Sequence, residues 1–400
     1  MKKYCPHCWP KKRKTHLFLH FNYYLDSFLK ILSRPIRSLT KKIENNTFFW
    51  ILFVEFFSLF KIVQFESDPD KSKLYNRSYI FFTEAKKRDL DIYAIKFFGK
   101  YINEFKLKYA GKNYYYKEIP LTLFEKSVSV MDDKSRFKQI MKSHGLPIAE
   151  GSTFRNEKKA FEFGLGIGFP LVVKPREGSL SHHASYPINS KDQLLQAIKI
   201  AKKYKPAFIV EKYFSGNLYR ASVIGKRELF ICRKDRPNIV GDGSSTIKEL
   251  IDTKNKDDNR GRANQKDSTL HRIPLNRELK ENLKKQNLTL TSVPPKGEKV
   301  ILIDKYVLAY GCDIINVKDI AHDENKKLFF KIAEVLDSDL VGIDLIAPDI
   351  GKSYKKQKAA ILEANSLPFV DMHQFPSHGK KEAVAEKTWD IVLKRLSNKK

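Results

Sequence analysis

The sequence is poor in cysteine, and it does not begin with an apolar leader. Cys5, Cys8, Cys232 and Cys312 are its only cysteines in 400 residues, too few for a disulfide scaffold in a chain of this length. The amino terminus lacks the apolar core and the small-residue cleavage site of a secretory signal. We therefore expect a reducing, cytoplasmic setting.

The sequence also lacks an apolar run long enough to cross a membrane. Its most apolar segment, residues 48–65, is interrupted by Glu55 and Lys61, whereas a spanning helix needs about 20 apolar residues. We predict that this segment is a helix that packs on the following domain. The alternative is a helix that lies on anionic lipid, since Lys41 and Lys42 precede it.

Acidic residues are scarce relative to basic ones. The 75 Lys and Arg residues outnumber the 46 Asp and Glu residues, which gives a net charge of +29. Such a surplus favours anionic partners: nucleic acid, acidic lipid, or phosphorylated and carboxylate substrates. The lysines are spread along the chain, however, and no RNP sequence or complete zinc finger occurs. The charge alone therefore identifies no partner.

The composition is that of a folded protein. Hydrophobic residues make up 42% of the chain and aromatic residues 12%, which is enough to form packed cores. A chain of 400 residues is too long for one ordinary core, so we expect two or three domains.

The amino-terminal segment contains potential metal ligands. Cys5 and Cys8 form a C-x2-C pair, and His16 and His20 form an H-x3-H pair, a combination that can bind zinc. The gap between the pairs is shorter than in ordinary zinc fingers. A redox-active Cys-Pro-His-Cys site is a second alternative, although no strand–helix redox pattern surrounds it. The favoured interpretation is a mobile, basic terminus that binds no metal.

Apolar runs and capping residues predict alternating strands and helices from residue 78 onward. We predict a buried strand at residues 78–82, a helix from residue 83 and a second strand from residue 92. Further on, the pattern predicts helices at residues 134–141, 190–204 and 324–336, and strands at residues 169–174 and 208–211 and near residues 300 and 341.

Residues 341–365 predict a hairpin that carries polar side chains. Two apolar strands, 341–346 and 359–365, flank a polar loop. Glu363 and Asn365 share a face because alternate residues of a strand point the same way, and Asp344 lies in the other strand. Such oxygen ligands suit Mg²⁺ that also holds nucleotide phosphates. An equal alternative on this stretch alone is a hairpin whose polar residues only face solvent.

Two further residues fall at strand ends where a nucleotide could bind. Lys174 ends an apolar strand and precedes a loop rich in serine and histidine, which is a pattern for a phosphate contact. Glu211 ends another strand, and the turn after it could pair with an adenine edge. Each signal is weak in isolation.

The order of these motifs resembles that of the ATP-grasp superfamily. The resemblance rests on residues 127–147, Val172-Val-Lys-Pro175, Val210-Glu-Lys-Tyr-Phe-Ser-Gly216 and Tyr219-Arg220. Residues 238–251, Asn255, Arg260-Gly261, 317–322, 341–350 and 362–365 are similar to the subgroup shared by cyanophycin synthetases and bifunctional glutathione synthetases. The resemblance covers the chain from about residue 74 to its end.

The resemblance implies an α/β class protein with an ATP-grasp fold of two α+β lobes. We accordingly expect three parts: a helical, basic extension at residues 1–73, a small α/β domain at 74–133 and an ATP-grasp domain at 134–400. The implied activity is that of an ADP-forming carboxylate–amine ligase. A substrate carboxylate takes the γ-phosphoryl group of ATP, and an amine then displaces phosphate to form an amide.

The resemblance also implies site residues and cofactors. The cofactors are ATP and Mg²⁺, with two ions expected and Mn²⁺ as an alternative. Carried over by position, the ATP ligands are Lys138 and Lys174 for phosphates and Glu211 and Tyr213 for adenine. Arg220 faces the transferred phosphoryl group, Arg236 or its neighbour Arg233 contacts substrate or phosphate, and the metal ligands are Asp344, Glu363 and Asn365.

The sequence departs from the family pattern at three places. The loop after Lys174 has a single glycine, Gly178, followed by serines and by His182 and His183, which could supply other donors. Leu218 stands where an acid is expected to contact ribose, and residues 306–312 replace a segment near the metal site. These departures leave the substrates undefined.

The departures also keep two alternatives open. One is an ATP-binding protein that has lost ligation. The other is a basic protein whose main function is binding to a membrane surface or to nucleic acid. For a ligase, the net charge of +29 makes an acidic amino acid or a polyacidic acceptor the first substrate to test.

Overall fold

The computed structural model describes residues 5–8, 15–32, 47–125, 128–131, 133–177, 182–263 and 265–398. Within these ranges, the α-helices are α1 Leu17–Leu32, α2 Thr47–Leu59, α3 Asn76–Lys87, α4 Val128–Met131, α5 Lys134–Ser143, α6 Glu157–Ile167, α7 Lys191–Tyr204, α8 Ile247–Asn255, α9 Arg277–Lys285, α10 Asp323–Val335, α11 Asp371–Gln374 and α12 Val384–Ser397. Short 3-10 helices occur at Pro6–Cys8, Lys71–Lys73, Pro120–Leu123, Leu308–Tyr310 and Tyr354–Lys356.

The strands form antiparallel sheets, apart from one short parallel pair, β12 and β13. They are β1 Val63–Glu66, β2 Asp91–Phe97, β3 Lys100–Tyr109, β4 Lys112–Lys117, β5 Gly151–Phe154, β6 Leu171–Pro175, β7 Ser185–Ile188, β8 Phe208–Lys212, β9 Asn217–Ile224, β10 Glu228–Asp235, β11 Asn238–Val240, β12 Arg260–Gly261, β13 Leu270–His271, β14 Lys299–Ile301, β15 Asp313–Asn316, β16 Leu340–Ala347 and β17 Ala360–Asn365.

The chain divides into two compact units. Unit 1 comprises Met1–Pro69, Asp91–Tyr115 and Ala149–Tyr213, and unit 2 comprises Asp70–Leu90, Tyr116–Ile148 and Phe214–Lys400. The three-part division predicted from the sequence is a different partition and stays a prediction.

In unit 1, helix α2 packs on the sheet of order β1-β2-β3-β4. Val54 of the helix is buried with Val63 and Ile95 of the sheet, and Lys106 Nζ donates to Glu55 Oε1 over 2.7 Å. The predicted helix at residues 48–65 is therefore correct only in part. It ends at Leu59, and the chain turns back into strand β1.

The second sheet of unit 1 has the order β5-β8-β6-β7. Helices α6 and α7 cover one face of it, where Leu194 and Ile198 pack with Val173 and Val210. Ser190 caps α7, since its side chain accepts from the Gln193 amide. The strands and the helix predicted between residues 169 and 211 are confirmed within two residues at each end.

Unit 2 is built on a five-stranded sheet of order β15-β10-β9-β16-β17. One face is apolar and forms a core with helices α5 and α10. Side chains in this core include Ala221, Val223, Val341 and Ile343. Because alternate residues of a strand point to opposite faces, Ser222, Gly342 and Asp344 lie on the other face. The predicted helix α10 and the predicted strand β16 are confirmed.

The strand predicted at residues 78–82 is wrong. This segment lies inside helix α3, in which Ile80, Phe81 and Ala85 are buried. The Trp389 indole of α12 donates to the Phe81 carbonyl oxygen over 2.9 Å. A short apolar run does not distinguish a strand from one buried side of a helix, and here packing against α12 favours the helix.

The predicted start of helix α5 is confirmed. Asp133 Oδ1 accepts from the backbone amides of Ser135 and Arg136 at 3.0 and 3.3 Å. These bonds satisfy two amides that have no partner inside the helix. The cap fixes the first turn of α5, in which Lys134 lies. Lys138 lies one turn further along the helix.

Candidate nucleotide and metal sites

The predicted hairpin of β16 and β17 exists and contains a β-bulge. Asp344 is paired with Glu363, but the next residue, Leu345, is paired with Ile361. Leu362 is therefore an extra residue in β17 that reverses the alternation of the strand. As a result Ile361 lies in the apolar core, whereas Glu363 lies on the same face as Asp344.

Arg220 on β9 lies directly opposite Asp344 on β16. Its Nε is 2.6 Å from Asp344 Oδ1, and its Nη2 is 2.9 Å from Oδ2. Lys234 on β10 lies on the same face, with Nζ 3.4 Å from Asp344 Oδ1. All three side chains are buried. The Arg220 and Lys234 cations thus neutralise the Asp344 carboxylate. Without such partners, burying this carboxylate would be costly.

The pKa of Asp344 reflects two opposing effects. Burial alone raises the pKa of this carboxyl, because it penalises the charged form. The charges of Arg220 and Lys234 outweigh that effect and hold the pKa well below its usual range. Asp344 is therefore ionised throughout the physiological pH range.

Gly342 makes room for the Arg220 side chain. A Cβ at this position would lie 2.6 Å from Pro368 Cβ and 3.2 Å from Arg220 Nη1. Glycine at this position therefore leaves the space into which Pro368 and the Arg220 side chain pack.

Glu363 and Asn365 occupy the same face of the sheet as Asp344. Lys134 Nζ of α5 is 3.3 Å from Glu363 Oε2. Asn365 Nδ2 donates to the Gly342 carbonyl oxygen over 3.4 Å, so the amide oxygen is the atom of this side chain that could bind a cation. Two carboxylates and an amide oxygen on one face form a hard-oxygen donor set, and this set fits Mg²⁺.

Two residues that the sequence analysis did not single out complete this face. His373 of α11 is 2% exposed, and its Nε2 is 2.8 Å from Ser222 Oγ. Burial, together with the charges of Arg220 and Lys234, lowers the pKa of His373 to about 3. Lys234 is the second such residue. Alternation places it with Cys232 in β10, but the partner strand cannot be read from the sequence.

In unit 1, Lys174 and Glu211 form an ion pair. Lys174 Nζ is 2.7 Å from Glu211 Oε1, and the Glu211 side chain is 2% exposed. Glu211 is paired with Val172, which lies two residues before Lys174 in β6. Lys174 and Glu211 therefore share one face of the sheet, the face opposite the helices. The pair fixes the position of the Lys174 ammonium group at the end of β6.

The turn after β8 uses two of its backbone amides internally. The Lys212 amide donates to the Glu150 carbonyl oxygen and the Tyr213 amide to the Pro170 carbonyl oxygen, at 2.8 and 3.0 Å. The Tyr213 ring stacks on Tyr186 at 6.4 Å between centroids. A base bound at this turn would therefore use groups other than these two amides.

The remaining predicted residues of unit 2 lie around the same sheet. Arg236 follows β10 and forms an ion pair with Asp304, and its guanidinium lies over the Tyr306 ring. Arg233 pairs with Asp235. Leu218 is buried, two residues before Arg220 on the same face of β9. An apolar side chain therefore occupies the position where the family pattern has an acid.

The loop after Lys174 is described only in part, because Gly178 and residues 179–181 lie outside the described residues. His183, suggested above as a phosphate donor, is directed elsewhere. Its Nδ1 is 2.7 Å from the Ile200 carbonyl oxygen, and its Nε2 lies beside the sulfurs of Cys5 and Cys8.

Comparisons with known proteins agree with the motif order. The chain is 31% identical over 291 residues to the cyanophycin synthetase of Crocosphaera subtropica, a match that covers 71% of this chain and 33% of that protein. It is 28% identical over 267 residues to the glutathione biosynthesis bifunctional protein GshAB of Clostridium perfringens, covering 66% of this chain and 34% of that protein. The chain thus spans about a third of the length of these relatives.

A solved structure shares the fold. The bifunctional glutathione synthetase from Pasteurella multocida matches with a TM-score of 0.63 and 23% identity, over 81% of this chain and 45% of that one. This likeness shows that the two chains share a fold. The predicted ATP-grasp fold and the predicted resemblance to cyanophycin synthetases and bifunctional glutathione synthetases are thereby confirmed. No protein-family model matches the chain. Among the helices that the structure describes, none is both long and apolar enough to cross a bilayer.

Proposed function

We propose that this ATP-grasp protein is an ADP-forming carboxylate–amine ligase. The observation that carries the proposal is the polar face of the five-stranded sheet in unit 2. Asp344, Glu363 and Asn365 lie there beside buried Arg220 and Lys234. A face with fixed cations and oxygen ligands is what a phosphoryl transfer requires, since its catalysis consists mostly of positioning and charge neutralisation.

The proposed reaction has two steps. A carboxylate oxygen of the acid substrate attacks the γ-phosphorus of ATP, and the bond between that phosphorus and the β,γ-bridging oxygen breaks to release ADP. The amine nitrogen then attacks the acyl carbon, phosphate leaves with the carbon–oxygen bond pair, and the amine loses a proton. We assign Arg220 to the transferred phosphoryl group and Lys138 and Lys174 to ATP phosphates. Arg236 is assigned to substrate or phosphate.

The remaining assignments concern the metal ion and the adenine of ATP. Asp344, Glu363 and Asn365 would hold Mg²⁺, which when bound neutralises charge on the phosphate oxygens. Because Asp344 already contacts Arg220 through both oxygens, Glu363 and Asn365 are the main contributors in this assignment. Two ions are proposed, with Mn²⁺ as a substitute. Glu211 and Tyr213 are assigned to the adenine end of ATP.

We propose that the substrate whose carboxylate is activated is an acidic amino acid or a polyacidic acceptor. The support is the net charge of +29, which raises the local concentration of anions. The cyanophycin and glutathione relatives named above support an amino acid or a peptide as the substrate class.

The decisive experiment is a ligation screen. The purified full chain is incubated with ATP, Mg²⁺ and pools of amino acids and short peptides, while ADP release and new amide masses are followed. We expect equal amounts of ADP and amide, first with the acidic pools. ATP binding without turnover in any pool would favour the alternative of an ATP-binding protein that has lost ligation. If the protein neither binds ATP nor turns it over with any pool, the nucleotide assignment itself is overturned.

Helix α2 supports a separate proposal of peripheral contact with an anionic membrane. Leu52, Phe56 and Leu59 of the helix, and Phe60 after it, are exposed, and a cluster of exposed apolar side chains suits a lipid surface. Co-sedimentation with anionic vesicles tests this, with Phe56→Glu expected to reduce binding. Equal binding by the variant and the wild type would exclude a role for this helix. A cytoplasmic location fits both proposals.

A further inference from the structure

Four potential metal ligands converge in unit 1 at a place that the ligase reaction does not use. They are Cys5, Cys8, His16 and His183, and their ligand atoms all lie within 4.8 Å of one another. Cys8, His16 and His183 are buried. We propose that these four residues bind one zinc ion, which ties the amino-terminal segment to the connection between β6 and β7.

The separations between the ligand atoms fit a tetrahedral zinc site. Cys8 Sγ is 3.3 Å from His16 Nε2, and His183 Nε2 is 3.4 Å from Cys5 Sγ and 3.5 Å from Cys8 Sγ. Tetrahedral zinc has bonds of about 2.3 Å to sulfur and about 2.0 Å to nitrogen, which places a sulfur and a nitrogen about 3.5 Å apart. Two thiolates and two imidazoles are also a common ligand set of structural zinc sites.

Hydrogen bonds between thiols and imidazoles are a less complete explanation of this cluster. His183 Nδ1 is 2.7 Å from the Ile200 carbonyl oxygen. In the neutral ring, Nδ1 is then the donor, and Nε2 has one lone pair directed at two sulfurs. One ion between all four residues would satisfy every ligand atom at once. The Ile200 carbonyl also resembles the groups that orient metal-bound histidines, since it fixes the tautomer that presents Nε2.

The local backbone brings the two sulfurs together. The 3-10 turn at Pro6–Cys8 is closed by the Cys8 amide, which donates to the Cys5 carbonyl oxygen over 3.3 Å. His183 has φ +54°, a left-handed conformation that is uncommon for residues other than glycine. Such a conformation persists where surrounding contacts fix it, and a metal bond is one such contact.

The ligand set differs from the one that the sequence suggested. Three of its members, Cys5, Cys8 and His16, are the same, and the favoured interpretation of a metal-free terminus is replaced by this proposal. His20 is not the fourth ligand: its Nε2 is 3.3 Å from the Lys203 carbonyl oxygen. His183 takes that position from 175 residues beyond Cys8, a distance that no local spacing rule can detect.

The first experiment measures metal content. The full chain, purified without a histidine tag, is exposed to one equivalent of Zn²⁺, freed of excess metal and analysed by plasma mass spectrometry. We expect one zinc per chain, and loss of it in Cys8→Ser and His183→Ala. His20→Ala and Cys312→Ser are matched controls that keep the metal. No zinc in the wild type, or equal zinc in Cys8→Ser, would overturn the proposal.

A second experiment needs no variant and therefore cannot fail through misfolding. X-ray absorption of the zinc-loaded wild type should show two sulfur ligands at about 2.3 Å and two nitrogen ligands at about 2.0 Å. Cobalt loading should give the thiolate charge-transfer band of a tetrahedral site. A shell of oxygen ligands without sulfur, or a Cys5–Cys8 disulfide in protein purified from a reducing cytoplasm, would overturn the proposal.

Discussion

Arg220 contacts both carboxylate oxygens of Asp344 across two neighbouring strands, at 2.6 and 2.9 Å. Both side chains are buried. In such a buried pair each charge depends on the other, because neither has water as an alternative partner. The pair therefore connects the stability of the sheet to the geometry of the proposed active site.

Replacing Arg220 should unfold the protein more readily. In Arg220→Met the Asp344 charge loses its bidentate partner and remains buried beside Lys234. Removing one partner of a buried ion pair costs about 3–5 kcal/mol, so we expect a loss near the lower limit. Urea unfolding measures it, with Arg227→Met, at an exposed arginine in the turn between β9 and β10, as the control. A loss under about 1 kcal/mol would show that Lys234 alone compensates Asp344.

Glu363→Gln should affect activity much more than stability. The Glu363 side chain is 31% exposed and its Lys134 partner 15% exposed, so removing the Glu363 charge should cost less stability than breaking the fully buried Arg220–Asp344 pair. If Glu363 holds Mg²⁺, the variant needs a higher Mg²⁺ concentration for ATP turnover, because an amide is a weaker ligand than a carboxylate. Magnesium titrations of ADP release measure this. Glu334→Gln, an exposed acid on α10, is the control, and equal curves would remove Glu363 from the metal site.

Lys174 allows stability and nucleotide binding to be separated. Lys174→Met removes the ammonium group that lies 2.7 Å from the buried Glu211 carboxylate, at a cost of about 3 kcal/mol. Adding Glu211→Gln removes the buried negative charge and should restore most of the stability. If Lys174 binds phosphate, ATP affinity is lower in both variants than in Glu211→Gln alone, which controls for the adenine contact assigned to Glu211. Calorimetric titration and urea unfolding give the two quantities, and full ATP affinity in the double variant would contradict the phosphate role.

His373 should make the protein less stable in mild acid. Burial lowers its pKa in the folded chain to about 3, whereas in the unfolded chain it is about 6.5. As the pH falls below about 6.5, the unfolded chain takes up a proton that the folded chain refuses, so stability present above pH 6.5 is lost progressively towards pH 3. The full effect is on the order of a few kcal/mol.

The test compares wild type with His373→Gln between about pH 7 and 4.5, a range in which Asp344 stays ionised in both states. As the pH decreases, the free energy of unfolding of the wild type should fall more steeply than that of the variant. His144→Gln, at an exposed histidine, should keep the wild-type slope. Identical slopes for His373→Gln and the wild type would mean that His373 titrates normally.

Two glycine substitutions should have opposite effects. Gly342→Ala forces a methyl group to within 2.6 Å of Pro368 Cβ, and overpacking of this kind costs about 1–3 kcal/mol. Gly166→Ala, on an exposed side of helix α6 with no atom within 4 Å, should stabilise by about 0.5–1 kcal/mol through helix propensity. Thermal unfolding of both variants checks the signs. A neutral Gly342→Ala would show that Pro368 and Arg220 can shift without loss.

The sequence predicted the elements whose signals are local. The Asp133 cap of α5 and the polar hairpin of β16 and β17 follow from neighbouring residues, and both are confirmed. Residues 78–82 were assigned to a strand because Tyr79 to Phe82 form a short apolar run, and the contact with Trp389 that decides for a helix is 308 residues away.

Partners across strands could not be predicted from the sequence for the same reason. Lys234 and His373 reach the candidate site only because β10, β9 and β16 are neighbours in the sheet and α11 follows β17. His183 joins Cys5 and Cys8 although it lies in a different segment of unit 1, more than 170 residues further along the chain. The motif order located the site along the chain, and tertiary pairing supplied its remaining members.

The extra residue Leu362 in β17 has a consequence for deletions. Upstream of it the strand directs Ile361 into the core, and downstream it directs Glu363 and Asn365 to the opposite face. Deleting Leu362 would make Ile361 and Glu363 neighbours in a regular strand, and both would keep the opposite faces that they have now. A regular strand that kept Leu362 would instead direct Glu363 and Asn365 towards the core, so the orientation of these two side chains depends on the bulge.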